Sequence, residues 1–183
     1  VCGLAGISTG PDAPPPSREE LVRMARSIAH RGPDGSGVFC AGRIGLAHAR
    51  LAVLDREGGA QPMSSASRDL TIAYNGEVFN HVELRRELEA DGRGFTTHSD
   101  TEVILAAYER WGADAWERLE GQFALALVDR NRRLLHLVRD RAGICPLLLA
   151  RLPDCLVFAS EAKAIFASGR VDARTDPAGI NAV

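Results

Sequence analysis

A chain of 183 residues, 45% hydrophobic and 25% charged, is long enough to bury one domain-sized core without disulfide or metal staples. Its formal net charge of -2 gives no electrostatic case for binding nucleic acid or an anionic membrane, and the longest apolar runs, Phe123–Val128 and the stretch around Leu147–Ala150, are far too short to span a bilayer. No basic segment leads into an apolar one near the amino terminus, so a secretory signal is not visible and a cytoplasmic location is expected.

Leu4–Ser8 reads as a first strand, followed by a loop through Pro11, Pro14, Pro15 and Pro16. Ser17 and Glu20 form a capping box, and Leu21, Ala25 and Ile28 recur at helical spacing until Gly32, Pro33 and Gly35 stop the helix near His30. Ile44–Leu54 alternates like a strand, and Leu70–Tyr74 reads as another that turns at Asn75-Gly76. A second helix is predicted over Val82–Ala90, ending at Gly92; a third begins at Ser99, where Glu102 completes another capping box, and runs to Trp111.

Beyond it the pattern changes to hairpins. Phe123–Asp129 and Leu134–Arg139 flank the polar turn Arg130–Arg133, and Leu147–Arg151 and Leu156–Ser160 flank Leu152-Pro153-Asp154. A short helix at Glu161–Ser168 and a polar tail finish the chain. Consecutive hairpins favour antiparallel sheets over alternating parallel units, so the predicted class is α+β, two sheets with helices outside them.

The four cysteines, Cys2, Cys40, Cys145 and Cys155, contain no C-x-x-C pair, which leaves a zinc site or a thioredoxin-like motif little support. Cys40, Cys145 and Cys155 lie in apolar stretches and are expected to be buried. Cys2 differs by its place. At a free amino terminus its thiol has an amine on the same residue, with an ordinary pKa of roughly 7.7–8.0, to serve as base. That chemistry needs Val1 gone; the expectation is that Val1 is a non-standard start codon read literally and that the initiator is removed before the small second residues.

Other residues complete a set. The Asn75 side-chain amide and the Gly76 backbone N–H can serve as oxyanion donors, although Asn-Gly is also simply a good turn. Arg50, two positions after His48 on one strand face, offers a planar fork for a carboxylate. Asp100, in the first turn of a predicted helix, can receive an ammonium group, with Glu77 assisting. Each residue has an ordinary structural role available to it; together they supply what acyl transfer from an α-amino acid amide requires.

The ordered segments Cys2–Gly6 (CGLAG), His30–Asp34 (HRGPD), His48–Asp55 (HARLAVLD), Gln61-Pro62, Asn75–Asn80 (NGEVFN), Ser99–Glu102 (SDTE), Arg139–Pro146 (RDRAGICP) and Phe158–Ala164 (FASEAKA) resemble the glutaminase domain of asparagine synthetases. This is a class II glutamine amidotransferase in the N-terminal-nucleophile hydrolase group. The resemblance implies a four-layer α-β-β-α sandwich of two antiparallel sheets, Cys2 as nucleophile, and Asn75 and Gly76 as the oxyanion hole. It implies Arg50 on the glutamine α-carboxylate, Glu77 and Asp100 around the α-amino group, and Leu51, Ala52, Val53 and Leu54 lining the substrate pocket, partly through backbone groups. His30–Asp34 is expected to be a supporting loop.

The implied reaction releases ammonia from glutamine through a glutamyl thioester, for use by an ATP-dependent synthetase domain or subunit. No cofactor is expected in this domain, ATP and magnesium belonging to the synthetase, whose S-G-G-x-D-S kind of loop does not occur in the sequence. The chain is expected to be a fragment or a separate subunit serving such a synthetase. Two departures stand out: Cys145 replaces a usual lysine, and Leu148 and Leu149 replace aromatics. Both are expected in a strand distant in sequence from the site, where they bear on the acceptor and partner surface more than on glutamine hydrolysis. Two other readings remain open at this point: a non-catalytic docking module for a synthetase, and a hydrolase acting on another amide.

Overall fold

The computed structural model describes residues 2–174. Val1, on which the expected processing turns, and residues 175–183, most of the predicted polar tail, lie outside the described residues. The strands are β1 (Gly3–Thr9), β2 (Gly35–Ala41), β3 (Ile44–Arg50), β4 (Met63–Ser64), β5 (Leu70–Val78), β6 (Gly121–Asp129), β7 (Leu134–Arg139), β8 (Leu148–Arg151) and β9 (Cys155–Ala159). The α-helices are α1 (Arg18–Ser27), α2 (His81–Ala90), α3 (Asp100–Trp111), α4 (Ala115–Arg118) and α5 (Ala162–Ala167).

The class is α+β with two antiparallel sheets. One has the order β2-β3-β1-β9-β8 and the other β4-β5-β6-β7. Strand alternation sorts the side chains to the two faces of each sheet. Ala5, Ile7, Ala47, Ala49 and Val157 face outward and pack under Leu21, Met24 and Ile28 of α1 and Ile165 of α5. On the other sheet Ile72, Tyr74, Leu125 and Leu127 pack under Leu84 and Leu88 of α2 and Val103, Ile104 and Ala107 of α3. Leu4, Leu46 and Phe158 meet Ala73, Ala124, Ala126 and Val128 in a third core between the sheets. Gly6 on β1 leaves room for the Phe158 ring, whose Cζ would lie 2.2 Å from a Cβ there. Among the described residues no helix is long and apolar enough to cross a membrane.

Local chemistry explains the helix starts. Ser17 and Glu20 make the predicted capping box, with Ser17 Oγ accepting from Glu20 N at 3.2 Å and Glu20 Oε2 from Ser17 N at 2.7 Å. Ser99 does cap α3, accepting from Thr101 N at 3.2 Å, but Glu102 does not close a box. Its carboxylate reaches back to the N–H groups of Thr96 and Thr97 at 2.9 and 2.7 Å and to both their hydroxyls. These bonds overcome the opposing effect of burial and hold Glu102 below the usual carboxylate range.

Three further sequence expectations are corrected, and some elements were not foreseen. Asn75-Gly76 is not a turn: β5 runs through it to Val78, with Asn75 opposite Ala124 and Gly76 opposite Phe123. The strand predicted to reach Leu54 stops at Arg50, because the next peptides bond elsewhere: Ala52 N to Asp34 Oδ2 at 2.8 Å and Val53 N to Leu51 O at 3.1 Å. Cys40 is exposed, on the edge strand β2, whereas Cys145 and Cys155 are buried as expected. Finally, β2, β4 and α4 have no counterpart among the predicted elements; β2 opens on Gly35-Ser36-Gly37, which reads locally as loop.

Candidate active site

Leu4, Leu46 and Ala73 point into the space between the sheets, so residues two positions along each strand point the same way. This rule sends Cys2, His48, Arg50 and Asn75 toward one another from β1, β3 and β5. A cleft of about 340 Å³ opens there, lined by Cys2, Arg50, Leu51, Val53, Leu54, Gly76, Glu77 and Asp100. Eight of the ten expected site residues thus share one cavity. Asn75, which is fully buried, and Ala52 are not on its surface.

The Cys2 sulfur is held by one peptide unit of the loop. Leu51 N donates to Sγ at 3.3 Å, and the thiol lies 3.5 Å from Leu51 O. The carbonyl oxygen of Cys2 accepts from Arg31 Nε at 2.9 Å, and Arg31 Nη1 donates to Glu161 Oε1 at 3.0 Å. Against the cost of burial, contacts with Lys163, Arg31 and His30 pull the Glu161 carboxyl down to about 2. The HRGPD and SEAKA segments therefore meet behind Cys2. Arg31 also lines the cleft, closer to the chemistry than the supporting role expected for its segment.

Arg50 ends β3 with its fork turned into the loop. Nη1 donates to Arg56 O at 2.7 Å, and Nη2 to Asp55 O at 2.6 Å and Leu54 O at 3.4 Å. Nε–H and one N–H on Nη1 of this five-donor group make no hydrogen bond among the described residues and are left for a ligand. Asp100, 5% exposed, accepts at Oδ2 from the Tyr74 hydroxyl at 2.8 Å and from Val78 N at 3.4 Å. Burial and the Asp100 charge raise the Tyr74 phenol, which stays a donor. Glu77 is exposed at the cleft wall.

Gly76 has φ +138, and a Cβ there would sit 2.1 Å from Gln122 O, so only glycine fits this strand. Both polar atoms of the Asn75 side chain are buried without a hydrogen-bond partner among the described residues. A buried amide left this way is costly unless something else satisfies it, which suits a group that meets a ligand atom.

Cys145 lies before β8 rather than in a strand and, although distant in sequence, lines the cleft beside Ile144 and Pro146, which corrects the expectation that this departure bears on a partner surface more than on the site. The reason is a tight loop organised by Asp140, which accepts from Phe123 N at 3.2 Å and from Ile144 N and Cys145 N at 3.0 Å each. Phe123 is the β6 partner of Gly76, so Gly76 and Cys145, distant in sequence, line the same cleft. Leu148 and Leu149 do lie in a strand, the edge strand β8, where they are exposed and absent from the cleft lining. Gln61 also lines the cleft; it was legible only as part of a motif, with no chemical role attached. Among the described residues no three His, Cys, Asp or Glu side chains are grouped as a metal site needs.

Comparison with known proteins gives a consistent result. The chain matches the family described as "Glutamine amidotransferase domain" over residues 1–183. It is 41% identical over 167 residues to asparagine synthetase [glutamine-hydrolyzing] 1 of Bacillus subtilis (strain 168), covering 90% of this chain and 26% of that protein. It is 38% identical over 185 residues to asparagine synthetase [glutamine-hydrolyzing] 3 of the same organism, covering 100% and 30%. The chain therefore spans under a third of the length of these relatives. In fold it resembles the glutamine phosphoribosylpyrophosphate (PRPP) amidotransferase from B. subtilis complexed with ADP and GMP, with a TM-score of 0.75 at 24% identity over 92% of this chain and 44% of that one.

Proposed function

The chain belongs to the glutamine amidotransferase domain family, and on that premise we propose that it hydrolyses glutamine to glutamate and ammonia through a thioester on Cys2. The convergence of Cys2, Arg50, Gly76 and Asp100 on one cleft is the observation that carries this reading. The sandwich is assigned to the N-terminal-nucleophile type on the same grounds: the nucleophile stands at the start of an inner-layer strand.

Arg50 takes the α-carboxylate through its remaining N–H groups, and Asp100 with Glu77 takes the α-ammonium group. Leu51, Val53 and Leu54 wall the methylene chain, and Ala52, pinned to Asp34, fixes the loop. The Cys2 amine removes the thiol proton, and the sulfur attacks the side-chain carboxamide carbon. Negative charge gathers on the carboxamide oxygen, facing the Asn75 Nδ2 and Gly76 N–H donors. The protonated amine returns its proton to the leaving nitrogen, which departs as ammonia and leaves the glutamyl thioester. Water, deprotonated by the same amine, then displaces the sulfur to give glutamate. The amine must be free for both transfers, so the active form lacks residue 1.

The ammonia serves an ATP- and magnesium-dependent synthetase of the asparagine synthetase kind, on another domain or subunit. This domain itself has no role for a cofactor. The test is glutamate release from glutamine by protein whose mass shows Cys2 as its first residue. Turnover abolished by Cys2→Ala is the expected result; turnover that survives in Cys2→Ala, or is absent from the processed protein, overturns the proposal.

A further inference from the structure

Strand β4 is two residues long and stops before it can cover Tyr74. Its pairing of Met63 with Ile72, carried two residues further in the antiparallel sense, would bring Gln61 opposite Tyr74. No strand backbone performs that pairing. Two side chains replace it: Gln61 Oε1 accepts from Tyr74 N at 2.6 Å, and His48 Nε2 donates to Tyr74 O at 2.9 Å. A carbonyl oxygen can only accept, so Nε2 carries the ring proton. Both amide groups flanking the Tyr74 α-carbon are thereby fixed, one residue before Asn75.

The two grips start from different places. Gln61 is anchored near α3, its Nε2 donating to Thr101 Oγ1 at 3.3 Å, next to Asp100. Its carbonyl packs so closely on β2 that a Cβ on Gly37 would lie 2.1 Å from it. His48 belongs to the other sheet. It stands on β3 opposite Leu4 of β1, two residues from Cys2, and opposite Gly37 of β2. Its bond to Tyr74 is therefore a strut from the sheet that carries the nucleophile to the strand that carries Asn75 and Gly76.

The ring is a costly choice for filling space. His48 is fully buried, and its Nδ1 has no hydrogen-bond partner among the described residues. A leucine would occupy much the same volume without an orphaned nitrogen. What the histidine adds is the single bond to Tyr74. Alternate residues of a strand direct their backbone groups to the same side, so Gly76, two residues on, inherits its orientation from this fixed peptide.

We propose that His48 is a positioning residue for glutamine hydrolysis, whose Nε2–H bond to the Tyr74 carbonyl sets the separation between the Cys2 sulfur and the oxyanion donors Asn75 and Gly76. Gln61 holds the same residue from the other side. The inference rests on the glutaminase reading above. It assigns His48 an effect on the reacting geometry and none on ground-state binding, which belongs to Arg50 and Asp100.

The experiment compares wild type, His48→Leu and His48→Gln, the last keeping a donor close to the Nε2 position. Glutamate release gives kcat and KM. A glutamine analogue with an aldehyde in place of the carboxamide adds to the Cys2 sulfur as a tetrahedral adduct and reports on the oxyanion donors; glutamate reports on binding without an adduct. In His48→Leu, kcat is expected to fall about 10- to 100-fold, the range for a small misplacement of reacting groups. Its KM and glutamate affinity stay within about three-fold, the aldehyde weakens in parallel with kcat, and His48→Gln recovers most of the loss. Unchanged kcat in His48→Leu, or equal losses of kcat and glutamate affinity that His48→Gln does not relieve, overturns the inference while leaving glutamine hydrolysis intact. Should His48→Leu not fold, Gln61→Met is read in its place: a several-fold fall in kcat at constant KM supports the clamp, and an unchanged kcat overturns it. A wild type that releases no glutamate is a different result, the failure of the glutaminase reading itself.

Discussion

Arg31 Nε lies 2.9 Å from the carbonyl oxygen of Cys2, so the peptide that follows Cys2 is held by a charged side chain from a different element. Thiol and amine share Cys2, and turning that peptide turns both. A hydrogen bond from a charged donor contributes about 1.5–3 kcal/mol. Arg31→Met is expected to lower kcat by about ten-fold or more, with a smaller effect on KM. Glu161→Gln, which leaves an acceptor for Arg31 but removes the charge, is expected to fall between that variant and wild type. Steady-state glutamate release checks both, and equal rates in all three proteins would exclude the tether.

Arg50 is committed twice, to the carbonyls of Leu54, Asp55 and Arg56 and to the substrate carboxylate assigned to it above. Lysine keeps the charge but not the fork. Arg50→Lys is therefore expected to raise KM for glutamine by about 10- to 100-fold through loss of one charge-assisted bond and a looser loop wall. Its kcat should change less. A variant with unaltered KM places the carboxylate elsewhere in the cleft.

Gly76 combines φ +138 with the absence of room for a Cβ, 2.1 Å from Gln122 O. Gly76→Ala cannot relieve either problem without parting β5 from β6, and the two together are expected to cost about 2–4 kcal/mol of folding stability. Urea denaturation monitored by tryptophan fluorescence reads this directly. A loss below about 0.5 kcal/mol, the scale of an ordinary surface change, is incompatible with the geometry.

The same glycine shows where sequence stops being informative. Asn75-Gly76 has the composition of a hairpin turn, and only the pairing with Ala124 and Phe123, nearly fifty residues away, makes it strand interior. Elements with a strong period, such as β6, β7 and α1, were legible because their own side chains carry the pattern. β2 was not, since Gly35-Ser36-Gly37 reads as loop until β3 is beside it. Cys2, Arg50, Gly76 and Asp100 could be picked out as chemically useful groups. Arg31, Gln61 and Cys145 could not be placed, because their positions depend on Cys2, Tyr74 and Asp140, residues far from them or unremarkable in sequence.

Burial presses the His48 imidazole down from 6.5 to about 4, the bond to Tyr74 opposing and the Arg50 charge assisting. Its folded pKa is thus lowered, and between pH 6.5 and 4 the unfolded chain binds the extra proton. Stability accordingly falls as pH drops through this window. The contribution of His48 at pH 4.5, relative to neutral pH, is on the order of 2 to 3 kcal/mol. His136, also lowered chiefly by burial, adds in the same direction. Glu161, held down at about 2, acts in a lower window: its stabilisation is intact above about pH 4.5 and is lost as pH falls toward 2. Urea unfolding at pH 7 and pH 4.5 separates the two. The loss between these values should be smaller in His48→Gln than in wild type by about 2 kcal/mol, whereas Glu161→Gln should leave most of it unchanged. Parallel losses in wild type and His48→Gln would mean that the ring is not held neutral by the core between the sheets.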